Sequence, residues 1–209
     1  MKKFILSALV AVAAISANAQ AQKGDIQTSI DFKPFISTGD MFENAGVNVA
    51  YYLTNKDAIR VGLNFGSNKE SENNIDVKKS NWAISLGYEN HFKSYKNIDL
   101  YAGAEITYKS TSKKGTLTAF GETFNNAKLG GDNTFGIFAF TGINLYVYKQ
   151  LYLGAEIQLG YSNTSDSKID SAQQDANTGK VGLVSVDPKS SSSDFTISAR
   201  PALRLGWTF

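Results

Sequence analysis

The sequence predicts an all-β chain closed into an eight-stranded, antiparallel, up-and-down barrel. Three observations predict it. Apolar residues recur at every second position in eight separate stretches, the connectors between them alternate between short and long, and the apolar faces carry aromatic residues at both ends with aliphatics between. Period two sustained over about ten residues is a strand signal, because successive side chains of a strand point to opposite faces. The aromatic fraction of 12%, with 13 Phe and 10 Tyr, leans the same way.

The stretches follow in order. The first sets Ile26, Ile30 and Phe32 against Gln27, Ser29, Asp31 and Lys33. The second sets Val47, Val49, Tyr51 and Leu53 against Gly46, Asn48, Ala50 and Tyr52, and the third sets Ile59, Val61, Leu63 and Phe65 against Arg60, Gly62, Asn64 and Gly66. In the fourth, Trp82, Ile84, Leu86 and Tyr88 oppose Ala83, Ser85, Gly87 and Glu89. The fifth opposes Leu100, Ala102, Ala104, Ile106 and Tyr108 to Tyr101, Gly103, Glu105 and Thr107. The sixth has Phe135, Ile137, Ala139, Ile143 and Leu145 against Thr134, Gly136, Gly142 and Asn144. The seventh has Leu151, Leu153, Ala155, Ile157 and Leu159 against Gly154, Glu156, Gln158 and Gly160. The last carries Phe195, Ile197, Leu203, Leu205, Trp207 and Phe209 on one face and Thr196, Ser198, Arg200, Arg204 and Thr208 on the other. Pro201 sits inside this last stretch, where a closed barrel offers no free edge for its missing N–H, so a bulge or bend is expected there.

Residues 54–57, 93–97 and 148–150 are tight links, whereas 36–43, 67–78, 111–131 and 163–193 are long and polar. Short turns at one end and long loops at the other are the anatomy of a transmembrane β-barrel, with turns in the periplasm and loops outside. An even strand count places both termini on the turn side. Two β-like patches within the loops, Thr116–Phe120 and Val181–Val186, extend hairpins above the membrane or raise the count to ten.

A soluble barrel would point its apolar face inward and a membrane barrel outward. Height along the strand decides between them. Phe32, Phe65, Trp82, Tyr108, Phe135, Tyr161 and Phe195 fall at the loop ends, and Tyr51, Tyr88, Phe92, Trp207 and Phe209 fall towards the turn ends. Two aromatic girdles around an aliphatic band match the two interfaces of a bilayer, and a soluble core has no reason to sort residues by height.

The length of 209 residues fits one domain, or two small ones, and the absence of Cys removes disulfides, thiolate metal sites and cysteine nucleophiles. At the N-terminus Lys2 and Lys3 precede an apolar run from Phe4 to Ile15, then small residues spaced for cleavage after Ala19 or Ala21. This reads as an export signal over 1–21, with 22–209 as the barrel domain, because the run is well short of the roughly 20 residues of a spanning helix. The formal charge of +2 falls to zero once Lys2 and Lys3 leave, so electrostatics makes no case for nucleic acid.

The chain stops at Phe209, after Leu203, Leu205 and Trp207 at alternate positions. With this ending and the export signal, the sequence resembles the small outer-membrane β-barrel (porin-like) proteins, similar to OmpX and the N-terminal barrel domain of OmpA. The resemblance covers the whole mature chain and rests on pattern, not on a motif within the barrel. It implies Sec export, periplasmic chaperones and the barrel-assembly machinery as partners in biogenesis, with Leu203, Leu205, Trp207 and Phe209 as the assembly signal. It also implies outer-membrane lipid and lipopolysaccharide as surroundings, with termini periplasmic and loops extracellular.

Eight strands enclose an interior just wide enough for side chains to fill. Glu89, Glu105 and Glu156 each follow a glycine by two positions, and Tyr101–Ile106 and Tyr152–Ile157 nearly repeat. Each glycine leaves room for a long partner, and Arg60, Arg200 and Arg204 offer the fork that suits carboxylates. A buried charge without its partner costs several kcal/mol, so a paired network plugging the lumen is expected. Enzymatic readings fare poorly. The single histidine, His91, beside Phe92 and Tyr95, reads as an interfacial residue and not a base. Asp166, Asp170 and Asp175 are too widely spaced for a calcium loop, and the glycines form no phosphate cradle. No metal or cofactor is expected. The reading is a non-enzymatic structural or surface-interaction protein acting through its long loops toward an unidentified extracellular ligand, with a narrow porin or transporter of small or hydrophobic solutes as the alternative.

Overall fold

The computed structural model describes residues 21–32, 46–72, 75–175, 180–187 and 191–209. The expected export signal over 1–21, except Ala21, and the 36–43 loop lie outside the described residues. Among the described residues ten strands are present: β1 (Ile26–Phe32), β2 (Gly46–Tyr52), β3 (Asp57–Glu72), β4 (Ile75–Tyr95), β5 (Ile98–Ala119), β6 (Glu122–Tyr148), β7 (Leu151–Asp166), β8 (Ile169–Gln174), β9 (Val181–Val186) and β10 (Ser191–Thr208). Eight of them close a barrel in the order β1-β10-β7-β6-β5-β4-β3-β2, and every pairing is antiparallel. β8 and β9 pair only with each other, as a separate two-stranded sheet, so the ring has eight strands and not ten.

The seam lies between β1 and β10. Register runs from Gln27 opposite Thr208 to Phe32 opposite Leu203. Beyond it, Ile26 and Phe209 exchange both backbone bonds, at 3.2 and 2.8 Å, so the last residue completes the closure. The expected irregularity near Pro201 is present: the four steps of β10 from Thr196 to Arg200 match only two steps of β7, from Gly160 to Gln158. Such a bulge accommodates a residue with no N–H to donate.

The tight links read as expected. Between β2 and β3 the Thr54 hydroxyl accepts the N–H groups of Lys56 and Asp57 and donates to the Asp57 carboxylate at 2.6 Å. The Tyr88 hydroxyl and the Asn90 amide donate to the same carboxylate. Lys96–Asn97 and Lys149–Gln150 join β4 to β5 and β6 to β7, with Lys96 and Lys149 at positive φ as two-residue hairpin turns require. The long connectors depart from the sequence reading. Residues 67–72, 75–78, 111–119 and 122–131 are not irregular loop but strand, carrying β3–β4 and β5–β6 far past the barrel, the second pair turning at Phe120–Gly121 with both φ positive. Thr116–Phe120 belongs to this extension, and Val181–Val186 is β9 within the 163–193 connector.

Away from the bulges the wall keeps its pleat parity, and the oily face looks out. Val61, Leu86, Ile106 and Ile137, in register across β3 to β6, are 40 to 52% exposed, while Arg60, Glu89, Glu156 and Arg204 are at most 3% exposed. Of the predicted girdles, Phe65, Trp82, Tyr108, Phe135 and Tyr161 at one end and Tyr51, Tyr88, Phe92 and Phe209 at the other are exposed. The side chains of Phe32 and Phe195 lie outside the described residues. Trp207 departs from expectation: it keeps the outward parity of Leu203 and Leu205 but is only 8% exposed. From Trp82 to Phe92 is ten residues of β4, roughly 33 Å of strand and about 25 Å along the barrel axis at a tilt near 40°. That height matches the apolar band of a membrane barrel.

The charged lumen as candidate functional site

The interior is built from rows of residues in register, each interspersing small residues among large ones. One row runs Arg60, Gly87, Glu105, Phe138, Gly160; the next runs Ala58, Glu89, Gly103, Phe140, Gln158. Below them Tyr101 faces Gly142, which faces Glu156, and Asn144 faces Gly154, which faces Arg204. The glycines of the Gly-x-Glu repeats therefore make room for residues on neighbouring strands. At Gly103 an added Cβ would collide with the Tyr88 carbonyl oxygen and the Phe140 ring, and at Gly142 and Gly206 with the rings of Tyr101 and Tyr152. Because the Tyr88 carbonyl is backbone and cannot swing away, Gly103→Ala should destabilise the refolded barrel by roughly 1–3 kcal/mol, read as a lower urea midpoint. An unchanged midpoint would mean the wall yields more easily than this packing implies.

Arg60 is the hub. Its Nη1 donates to Glu156 Oε2 at 2.7 Å and lies 3.1 Å from Glu89 Oε1, and its Nη2 donates to Glu105 Oε2 at 2.7 Å. The Phe140 ring lies beneath the guanidinium, 4.0 Å from Cζ, adding a cation–π contact. Arg204 is the second hub. It donates from Nε to Asp31 Oδ1 at 2.9 Å, from Nη2 to Glu156 Oε2 at 2.9 Å and from Nη1 to the Tyr101 hydroxyl at 3.0 Å. Tyr101 in turn donates to Glu156 Oε2 at 3.0 Å, and Gln158 donates to both Glu105 and Glu156. Glu156 is thus shared by both arginines.

Five of the six predicted network residues meet in this cluster: Arg60, Glu89, Glu105, Glu156 and Arg204. The side chain of Arg200 lies outside the described residues. Asp31, held also by Asn48 at 2.7 Å, and Tyr101 and Gln158 are members that the sequence reading did not assign. His91 corrects another expectation. It is not an interfacial residue but a lumen one, 3% exposed, with Nδ1 on Asp99 and Nε2 3.0 Å from the Tyr52 hydroxyl and 3.3 Å from Glu89. The ring stacks on Tyr101, so the histidine ties the turn end of the barrel to the charged centre. Ser94 donates to Asp99, not to His91, and both ring nitrogens are occupied by lumen groups. A nucleophile–base pair facing an open reacting position does not arise from these contacts.

No family model matches the chain, and no curated protein matches it. Among solved structures, a major outer membrane protein from Thermus thermophilus superposes with a TM-score of 0.52 at 12% identity, covering 88% of this chain and 99% of that one. The chain has the fold of a small outer-membrane β-barrel. Weaker superpositions relate the barrel to Escherichia coli outer membrane protein W (TM-score 0.46, 11% identity, 91% of this chain and 100% of that one) and to the N-terminal barrel domain of Pseudomonas aeruginosa OprF (0.44, 11%, 90% and 100%). At such identities the likeness is one of fold alone, and what the barrel does must be argued from its own lumen and surface.

Proposed function

We propose that the protein is an integral outer-membrane barrel with a lumen closed by its own ion network, serving as a structural or surface-interaction protein through the hairpins that project beyond the membrane. One observation carries the reading: aliphatic side chains face out between two aromatic girdles, while two arginines and their carboxylates are buried together on the inner face. Arg60 and Arg204 are anchored three strands apart around the ring, on β3 and β10, and reach a common carboxylate, Glu156. Phe138 and Phe140 on one side of the cluster and Tyr52, Tyr101 and Tyr152 on the other are buried with it. Eight strands leave an interior that side chains of this size fill. The projecting parts are the ends of β5 and β6 and the β8–β9 hairpin, which carries Leu183, Val184 and Val186 exposed.

The purified barrel in planar bilayers should give no large, steady single-channel openings. Large, stable conductance from the folded barrel would overturn the plugged reading. The alternative of a narrow path for small apolar solutes draws on inward Phe138 and Phe140 and on the bulge beside Pro201, and uptake of such a solute by barrel-loaded vesicles without ion conductance would favour it.

A further inference from the structure

Above the outer girdle, the outward face of β3 to β6 is stratified by chemistry. In register across the four strands lie Leu63, Ile84, Tyr108 and Phe135, then Phe65, Trp82, Ser110 and Asn133. Next come Ser67, Ser80, Ser112 and Gly131, and then Lys69, Lys78, Lys114 and Lys128. The last row owes its alignment to a bulge. Between Lys113 and Lys114 the β6 register skips a residue, from Gly130 to Lys128, and so brings Lys128 onto the same face as Lys114. Lys69, Lys78 and Lys114 are exposed and Lys128 is half-buried, its backbone N–H donating to Asp170 at 2.7 Å.

Like charges directly opposite one another on adjacent strands, about 4.8 Å apart, repel and destabilise the pairing. Three successive such pairs on one face are unfavourable unless an anion lies along them. Lys69 is four residues beyond Phe65, about 13 Å of strand and roughly 10 Å of height at a tilt near 40°. The headgroup layer begins just past the aromatic girdle, and a lysine stem lets the ammonium bend back toward it. The same tilt makes the row slope by roughly 3 Å per strand, within the depth of such a layer. The neighbouring pair Lys79–Lys113 has the opposite pleat parity and so turns towards the barrel mouth.

We propose that the row Lys69, Lys78, Lys114 and Lys128 binds the phosphates of an anionic glycolipid headgroup in the outer leaflet. The serine row beneath it supplies hydroxyls for the sugar or phosphate oxygens, and the aromatic row below meets the acyl chains. This inference rests on the membrane reading above. The test uses the full mature chain refolded in micelles and titrated with diphosphoryl lipid A or its fully dephosphorylated form, the complexes being counted by native mass spectrometry. Wild type should prefer the phosphorylated form. Lys69→Ser/Lys78→Ser/Lys114→Ser/Lys128→Ser should lose roughly six-hundredfold in affinity, at about fivefold per lysine near an anionic surface. The all-arginine variant of the same four positions should retain binding, and so should Lys79→Ser/Lys113→Ser. Heat-modifiable migration on gels establishes that each variant is folded. Equal affinity of the folded quadruple serine variant, or no preference of wild type for the phosphates, would overturn the proposal. So would tighter binding of soluble heparin at the same lysines, which would assign the row to a soluble polyanion. Flotation with phosphatidylcholine vesicles tests the membrane reading separately, since a barrel that fails to float fails whatever lipid A does.

Discussion

Replacing Arg60 with methionine should cost the refolded barrel about 3–5 kcal/mol of stability, because it strips buried carboxylates of their cation. Arg60 is within 3.1 Å of Glu89 and 2.7 Å of both Glu105 and Glu156. The three acids do not lose equally. Glu156 keeps Arg204 and the Tyr101 hydroxyl, Glu89 keeps His91, and Glu105 keeps only the Gln158 amide. The deficit should therefore be concentrated at Glu105 and Glu89, and adding Glu89→Gln and Glu105→Gln to the methionine variant should recover a large part of it. Arg60→Lys should fall between, since one ammonium is a point charge and cannot reproduce a fork that bonds Glu156 with one nitrogen and Glu105 with the other. Urea midpoints of vesicle-refolded protein measure all three variants. A methionine variant within 1 kcal/mol of wild type would mean that water reaches the cluster and solvates the acids, which would also undo the plug.

The faces of the strands were legible because period two is local: each residue's side follows from its neighbours two away, whatever the tertiary structure. Hence Arg60, Glu105 and Arg204 were placed inward and Val61, Leu86 and Ile137 outward from the sequence alone, as the structure has them. Pairing partners were not legible, because they depend on the register between strands distant in sequence, as with Arg60 and Glu156 on β3 and β7. Other members carried a signal that went unused. His91 is inward simply because the parity of Ser85, Gly87 and Glu89 continues two residues further, and Asp31 stood on the polar face from the start. Tyr101 and Tyr152 occupy the same place in the near-repeat that supplied Glu105 and Glu156, and both are buried in the lumen. The polar connectors concealed strands for a different reason. Outside the hydrocarbon a hairpin needs no oily face, so the Ser-, Thr-, Asn- and Lys-rich ends of β3 to β6 pair without one and show no apolar alternation to read.

Placing arginine at position 86 should destabilise the bilayer-inserted barrel by about 2–4 kcal/mol, with the penalty falling toward zero at the girdles. Leu86 is half exposed and lies midway between Trp82 and Phe92, level with Val61, Ile106 and Ile137 on the flanking strands. In water the same substitution replaces an exposed leucine by a hydrated cation, and surface changes of that kind usually stay within about 0.5 kcal/mol. The two environments therefore predict outcomes several-fold apart for one side chain, with no change in the lumen to confuse them. Leu86→Arg compared with Trp82→Arg, unfolded from vesicles under identical conditions, supplies the depth dependence: the midplane variant should lose clearly more than the girdle variant. Equal and negligible losses at both positions would mean that the outward aliphatic face meets something other than hydrocarbon. In that case the stratification of aliphatic, aromatic, serine and lysine rows up the wall would lose its physical cause.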